Sequence, residues 1–366
     1  MSLSLNYRDF QERYIRDPRL GHRLGRNYPE GVDSDSTFGF SWLGTNSNGF
    51  YGQNQNFSIE KCHKYRIMIL GGSAAMGLGA TRREKLFSNL LLENLQSQTN
   101  SLHKFEVLNC AVGDYSSSQS LLAFQGELIQ FAPDMIVIVD GFNDFSHSTW
   151  GSKFAGGAWL ENTTRSFDDC LFALKKWEHP FCKEVLKYQW QMSSVGKMIK
   201  GASSRIRRKS RTSLSGDRGG LWDDPSKWSI KDEAINWYFR NLYSFAGIAA
   251  AHNIKIAHFF QPCFLWTGKR KLTTSESLNL EIFRSKMPEL INLAPKYYEK
   301  VKVRYRRAQL DLESRFPAGS ISLFDFGELF DFDEFSAFAD PIHYSDYGQE
   351  KLAKLVHEAI SDHIQL

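Results

Sequence analysis

Four short stretches of the sequence carry the side chains that acyl transfer requires. They are Gly71-Gly72-Ser73, Gly113-Asp114-Tyr115, Gly141-Phe142-Asn143-Asp144 and Asp340-Pro341-Ile342-His343. A serine hydroxyl becomes a strong nucleophile when a neutral histidine accepts its proton and a carboxylate orients that histidine. The sequence therefore predicts Ser73 as a nucleophile, His343 as its base and Asp340 as the group that orients the base.

The same stretches supply hydrogen-bond donors for an oxyanion. Ser73 follows an apolar segment and two glycines, so its own N–H is expected at the start of a helix, where developing negative charge is favoured. Gly113 has no side chain, which leaves its backbone N–H open to a substrate oxygen. Asn143 offers a side-chain amide as a third donor. Ser73, Gly113 and Asn143 are thus the predicted oxyanion hole.

The elements that position these residues are apolar strands alternating with helices. Strands are predicted over 65–70, 105–112, 135–139, 254–260 and 321–324, with helices through 86–95 and over 116–130, 230–252, 296–314 and 346–363. Alternation of this kind indicates a parallel, doubly wound sheet of the α/β class. Ligands bind at the carboxyl ends of such strands, and three of the four stretches directly follow a strand.

Two regions stand apart from this rhythm. Residues 1–63 are irregular and rich in small polar residues, which predicts an N-terminal arm that wraps the domain of residues 64–366. Residues 146–228 interrupt the alternation and predict a large insertion. Its basic segment 204–211 is typical of a solvated loop, with contact to phosphate or an acidic polysaccharide as the alternative.

In order and setting, the four stretches resemble the four motifs of the SGNH (GDSL-like) hydrolase family. The resemblance covers about 65–145 and 230–363 and implies a three-layer α/β/α sandwich with a five-stranded, flavodoxin-like parallel sheet. It also implies an acyl-serine intermediate, the site residues named above and no cofactor. The first motif usually reads Gly-Asp-Ser, whereas Gly72 replaces the aspartate here. That difference bears on subfamily and substrate rather than on the triad.

Each residue taken alone has a plainer interpretation. Ser73 can cap a helix, Gly113 can end a strand, and Asn143 can be a turn residue. Asp340 with His343 can be an ordinary cap or surface pair. Four such coincidences at four separate loops are much less expected than one active site. Asp144 is expected to be structural, Ser116 to Ser118 to cap a helix, and three histidines to be packing or surface residues: His147, His252 and His258.

Composition excludes several classes of protein. With 45 basic and 41 acidic residues the net charge is +4, too small an excess to indicate nucleic-acid binding. No apolar run is long enough for a membrane span, and the charged N-terminus favours a cytoplasmic protein unless an export signal has been removed. The five cysteines suggest reduced, buried thiols, with a Cys170–Cys182 disulfide as an alternative.

Metal and nucleotide sites are not expected. Cys62 and His63 have no further ligands at zinc-like spacing, so no metal is predicted. The glycines at 77 and 79 lack the third glycine of a dinucleotide fingerprint and the lysine of a P-loop. The sequence leaves the oligomeric state open.

The predicted function is hydrolysis of an ester, with removal of a short acyl group such as acetyl from a carbohydrate as the expected reaction. The turn after Ser73 consists of Ala74, Ala75 and Met76, and no long apolar stretch suggests a lipid-binding lid, which together favour a short acyl group. The aromatic segment 261–266 could stack on a sugar. Two alternatives keep the fold: an O-acyltransferase that transfers the acyl group to a sugar hydroxyl, and a non-catalytic carbohydrate-binding protein.

Overall fold

The computed structural model describes residues 13–17, 19–32, 40–61, 63–99, 104–150, 226 and 228–364. Most of the predicted insertion, its basic segment and Cys170 and Cys182 lie outside the described residues. Of the cysteines that are described, Cys110 and Cys263 are free and buried. Burial raises the pKa of both thiols.

The elements follow the chain in an order that separates a β-rich arm from an α/β domain. They are β1 (Tyr14–Asp17), β2 (Gly21–Leu24), β3 (Glu30–Val32), β4 (Ser41–Leu43), β5 (Tyr65–Gly71), α1 (Ser73–Met76), α2 (Phe87–Thr99), β6 (Phe105–Asn109), α3 (Ser117–Gly126), β7 (Met135–Asp140), α4 (Phe142–Trp150), α5 (Asp232–Ala251), β8 (Lys255–Phe260), α6 (Thr274–Lys286), α7 (Pro288–Arg315), β9 (Ile321–Asp325) and α8 (Asp346–Ser361). No helix within these described ranges combines the length and apolarity that crossing a bilayer demands.

The central sheet has five strands in the order β6-β5-β7-β8-β9, and every neighbouring pair is parallel. Counted along the domain, this is the 2-1-3-4-5 order of the flavodoxin-like fold, so the predicted architecture is confirmed. All six residues of β7 are buried, as expected for an apolar strand covered on both faces. Helices α2 and α8 pack together in one outer layer, while α3, α4 and α7 pack around α5 in the other.

Many of the aromatic residues in the described part of the chain lie in the core. Trp266 stacks on Tyr297 and Tyr298 of α7 with ring centroids 6.0 and 5.9 Å apart. Phe264, Leu265 and Trp266 are all buried. The interpretation of segment 261–266 as a sugar-stacking surface is therefore wrong, because these rings have no free face.

Several predicted elements need correction. The arm contains two antiparallel strand pairs, β1 with β2 and β3 with β4, rather than irregular chain alone. Helix α6 was not expected, and α7 begins at Pro288 instead of 296. Pro288 is well suited to the first turn of a helix, where its lack of an N–H costs no hydrogen bond. The helix continues through Pro295, although that residue also has no N–H to donate.

Candidate active site

The first and last motifs meet at the carboxyl end of β5. Ser73 is the first residue of α1, two positions beyond the strand, and its Oγ lies 2.7 Å from Nε2 of His343. The Nδ1 of the same imidazole lies 2.7 Å from Oδ2 of Asp340. The structure thus brings the three predicted triad residues into one hydrogen-bonded chain.

A tight turn fixes the carboxylate of Asp340. Its Oδ1 accepts hydrogen bonds from the backbone N–H groups of Ile342, at 2.7 Å, and His343, at 2.8 Å. Because Oδ2 is an acceptor, Nδ1 of His343 carries the proton and Nε2 of the neutral ring is left to accept from Ser73. The edge of the imidazole also packs against Phe40, with ring centroids 5.4 Å apart. Position and tautomer of the base are therefore both set by its neighbours.

The three predicted oxyanion donors border the same cavity. The N–H of Ser73 belongs to the first turn of α1, which has no intrahelical acceptor. Among the described residues the N–H of Gly113 has no hydrogen-bond partner. Asn143 donates one amide hydrogen to the carbonyl oxygen of Tyr115 at 2.9 Å, which leaves its second hydrogen for a ligand. Ser73, Gly113 and Asn143 all line this cavity.

Two glycines permit this close approach. A Cβ on Gly72 would lie 2.4 Å from Nδ2 of Asn143, and one on Gly113 would lie 2.4 Å from Oη of Tyr14. Both distances are shorter than any side chain tolerates. The backbone of Gly72 therefore lies in close contact with the amide of Asn143.

The cavity has a volume of about 410 Å³, within the range of small-molecule sites. The polar residues that line it are Tyr14, His22, Ser73, Asp114, Asn143, Ser146 and His343. The apolar residues that line it are Leu78, Phe142, Phe283, Met287, Leu290 and Ile342. A cavity with both kinds of lining can bind a molecule that has both apolar and hydroxyl groups.

The residues Ala74, Ala75 and Met76 do not form any of this surface. Their side chains are buried in the core beneath α1. The sequence-based reason for a short acyl group is therefore wrong, since the apolar lining of the cavity comes instead from Leu78, Phe142, the region of α6 and α7, and the loop before α8.

Sequence reasoning missed the contribution of the arm. Tyr14 on β1 and His22 on β2 line the cavity, and Phe40 packs on His343. The arm is anchored to α3, because Gln119 donates to the carbonyl of Leu20 at 2.9 Å. The sequence shows that the arm contains histidine and aromatic residues, but nothing in it indicates that these residues lie next to the four motifs.

A buried ion pair holds the loop that delivers Asp340 and His343. Arg270 and Glu276 are both buried and lie 2.7 Å apart. Arg270 donates to the carbonyl of Phe335 at 2.8 Å, and Glu276 accepts from the N–H of Phe338 at 3.2 Å. Helix α6 thereby fixes the path of the chain just before the triad.

Asp144 joins two helices beneath the site, in agreement with the structural role expected for it. Its carboxylate accepts from the N–H and the hydroxyl of Ser117, at 2.9 and 2.5 Å. Burial, followed by the nearby negative charge of Asp140, raises the pKa of Asp144 to about 7. Ser117 begins α3, so this contact ties the start of α3 to the first turn of α4.

The three histidines expected to be packing or surface residues occupy different settings. His258 is buried, and its Nε2 lies 3.1 Å from Asp140, whereas His252 is exposed at the end of α5. His147 contacts the carboxylate of Asp114 at 2.8 Å, at the rim of the cavity. No group of three or more histidines, cysteines or carboxylates with metal-binding geometry occurs in the part of the chain that the structure describes.

No family model matches the sequence, and no curated protein does. Solved structures with a similar fold include a GDSL-like lipase from Bacteroides thetaiotaomicron, at 13% identity and a TM-score of 0.38, over 82% of this chain and 89% of the other. An acetyl xylan esterase, at 12% identity and a TM-score of 0.42, matches over 81% of this chain and 99% of its own.

A lipase/acylhydrolase from Enterococcus faecalis is similar at 13% identity and a TM-score of 0.42, over 82% of this chain and 97% of the other. Likenesses at this level do not assign an activity, and the function proposed below rests on the geometry of the site. The sheet order nevertheless gives the chain the five-stranded α/β/α architecture that its resemblance to the SGNH hydrolases implies.

Proposed function

We propose that this protein is a serine ester hydrolase that works through an acyl-serine intermediate. The observation that carries the proposal is the continuous chain from Asp340 through His343 to Ser73, with both links at 2.7 Å, at the wall of a cavity. Each link has the length of a good hydrogen bond.

The proposed reaction has two halves. Nε2 of His343 takes the proton of Ser73 as Oγ attacks the ester carbonyl, and the resulting oxyanion accepts hydrogen bonds from Ser73, Gly113 and Asn143. The imidazolium then gives its proton to the alcohol that leaves. Water, deprotonated by the same ring, then attacks the acyl-serine. The imidazolium returns that proton to Oγ of Ser73 as the bond to the acyl group breaks, which releases the carboxylic acid and restores Ser73.

We further propose that the acyl group is short and that the alcohol is a carbohydrate. The mixed lining of the cavity supports this assignment: Tyr14, His22 and Asp114 are polar groups suited to hydroxyl groups, and apolar residues such as Phe283 and Leu290 offer a surface to the acyl group.

Covalent labelling tests the nucleophile. A fluorophosphonate should modify one residue, and peptide mass spectrometry should locate the adduct on Ser73 and not on Ser146, which also lines the cavity. Ser73→Ala should abolish both labelling and ester hydrolysis while far-ultraviolet circular dichroism remains unchanged. Labelling at another serine, or near-full activity of the alanine variant, would show that the assignment is wrong.

A panel of esters tests the substrate class. kcat/KM is expected to be highest for acetyl or similarly short acyl groups, and higher on acylated sugars than on simple alkyl esters. A steady rise of kcat/KM from acetyl to octanoyl esters would contradict the short-acyl assignment. Product analysis with an added sugar acceptor would reveal transfer instead of hydrolysis.

A further inference from the structure

We propose that Asp114 selects the alcohol half of the substrate by charge: it accepts hydrogen bonds from an uncharged sugar and repels a sugar that carries a carboxylate. This inference rests on the function proposed above and narrows its substrate class. Asp114 directly follows Gly113 and lines the same cavity as Ser73. Its side chain is 73% exposed, so the carboxylate is accessible to a molecule that enters the cavity.

A histidine of α4 holds one of the two carboxylate oxygens. Nε2 of His147 lies 2.8 Å from Oδ1 of Asp114, and the ring of His147 is buried. His147 lies about one helical turn after Asn143, whose amide donates to the carbonyl of Tyr115. Two side chains of α4 therefore contact the loop that carries Asp114. Its other oxygen, Oδ2, has no hydrogen-bond partner among the described residues and is left to accept from a ligand.

The backbone of Asp114 is unusual for a residue that has a side chain. Its φ is 67°, in the left-handed region that glycine adopts more readily than any other residue. A glycine at this position would relieve the strain, but it would also remove the carboxylate from the cavity. Strained positions of this kind are concentrated at catalytic and ligand-binding sites. The conformation therefore supports a role for the side chain in ligand binding.

The charge of Asp114 has no strong counter-charge in the lining of the cavity. Among the described residues that line it, Asp114 is the only carboxylate, and none is a lysine or an arginine. The basic side chains in this set are the imidazoles of His22 and His343. A carboxylate accepts hydrogen bonds from hydroxyl groups, whereas it repels a second carboxylate at short range. An uncharged sugar is therefore a better ligand for this cavity than a uronic acid.

The test compares the acetate esters of two sugars that differ at one carbon: methyl glucoside, which has a hydroxymethyl group there, and methyl glucuronide, which has a carboxylate. Asp114→Asn removes the charge and retains the size of the side chain, an oxygen that can accept from His147 and tolerance of the left-handed backbone. We expect kcat/KM to fall about threefold for the neutral ester, through KM, and to rise at least about fivefold for the anionic ester.

Changes of opposite sign in the two esters distinguish selection by charge from a structural role. Damage to the oxyanion hole would lower kcat for both esters by the same factor, and this result would overturn the proposal, as would an unchanged kcat/KM for both. Glu299→Gln is the matched control, because it removes a negative charge at an exposed position of α7. It should leave kcat/KM of both esters at the wild-type value.

The dependence on salt gives a second readout. The Debye length falls from about 30 Å at about 0.01 M salt to about 3 Å at about 1 M, so the repulsion by an exposed charge is screened over this range. The preference of the wild type for the neutral ester should therefore decrease as salt is added, whereas the preference of Asp114→Asn should change little. A wild-type preference that does not respond to salt would contradict selection by charge.

Failure of this inference differs from failure of the proposed function. A wild type that hydrolyses neither sugar ester, although Ser73 reacts with a fluorophosphonate, would overturn the role of Asp114 and leave the nucleophile in place. Failure of Ser73 to react would instead contradict the proposed function itself.

Discussion

At the scale of single residues, the carboxylate of Asp340 fixes the orientation of the imidazole of His343. It accepts from two backbone N–H groups and from the imidazole of His343, so the base cannot rotate without breaking a buried hydrogen bond. Residue types and their order along the chain were enough to predict this arrangement. They could not predict that Tyr14 and His22 line the cavity, because the packing of the arm against α3 brings those side chains there.

Asn143→Ala should lower kcat by about a hundred- to a thousandfold, the usual cost of one oxyanion donor. Substrate affinity should change much less, because the donor matters most when charge develops on the oxygen. Steady-state kinetics separate the two effects. A rise in KM with unchanged kcat would assign Asn143 to ground-state binding instead.

Gly72→Ala should impair catalysis by at least about tenfold, because the new methyl group needs the space that Nδ2 of Asn143 occupies, 2.4 Å away. Gly247→Ala is the matched control, since a Cβ there meets nothing within 4 Å and the position lies inside α5. It should leave kcat unchanged and raise the free energy of unfolding by about 0.4–1 kcal/mol. Equal activity of the two variants would contradict the steric argument at Gly72.

At the scale of elements, α6 holds the loop that carries two of the predicted triad residues. Its first turn carries Glu276, which pairs with Arg270 and fixes the loop that leads to Asp340. This helix was not predicted: its sequence is mostly polar and only two of its side chains are buried, Glu276 and Phe283. Hydrophobic periodicity cannot detect a helix that is held by a buried ion pair and by its N-terminal capping box.

Glu276→Gln should lower the free energy of unfolding by about 3–5 kcal/mol, because it leaves the buried charge of Arg270 without its partner. Glu281→Gln, on the same helix, breaks an exposed pair with Arg284 and should cost less than about 0.5 kcal/mol. Urea denaturation measures both. A similar small effect for the two variants would show that the buried pair does not hold the loop.

At the scale of the whole molecule, the sheet was predictable and its surroundings were not. Continuous apolar runs such as β7 reveal buried parallel strands directly from sequence. The arm strands are only three or four residues long, and they alternate too briefly for a periodic pattern to emerge. Their pairing depends on contacts with the domain that no local pattern encodes.

Folding stability should depend on pH through Asp144. Its pKa is about 7 in the folded chain, above the ordinary value for an aspartate, so the folded state holds this proton more tightly than the unfolded state. The resulting stabilisation is complete below about pH 4 and is lost as the pH rises through 7. Denaturation curves should therefore give a lower free energy of unfolding at pH 8 than at pH 5, and Asp144→Asn should remove this difference.

The exposed Asp362 supplies the control for this measurement. Asp362→Asn should keep the wild-type difference between pH 5 and pH 8, because its carboxyl group is not buried. A wild-type difference that persists in Asp144→Asn would place the responsible group elsewhere in the molecule.

Ser73 and His343, which share a hydrogen bond, are 270 positions apart in the chain. During synthesis, the segment that carries Ser73 emerges long before the loop that carries His343, so the proposed nucleophile exists without its proposed base until that loop has been made. We therefore expect activity to be a late signal of folding, because it requires contact between two segments that are distant in sequence. In a refolding experiment, reactivity of Ser73 toward a fluorophosphonate should appear after the change in tryptophan fluorescence that accompanies collapse of the core.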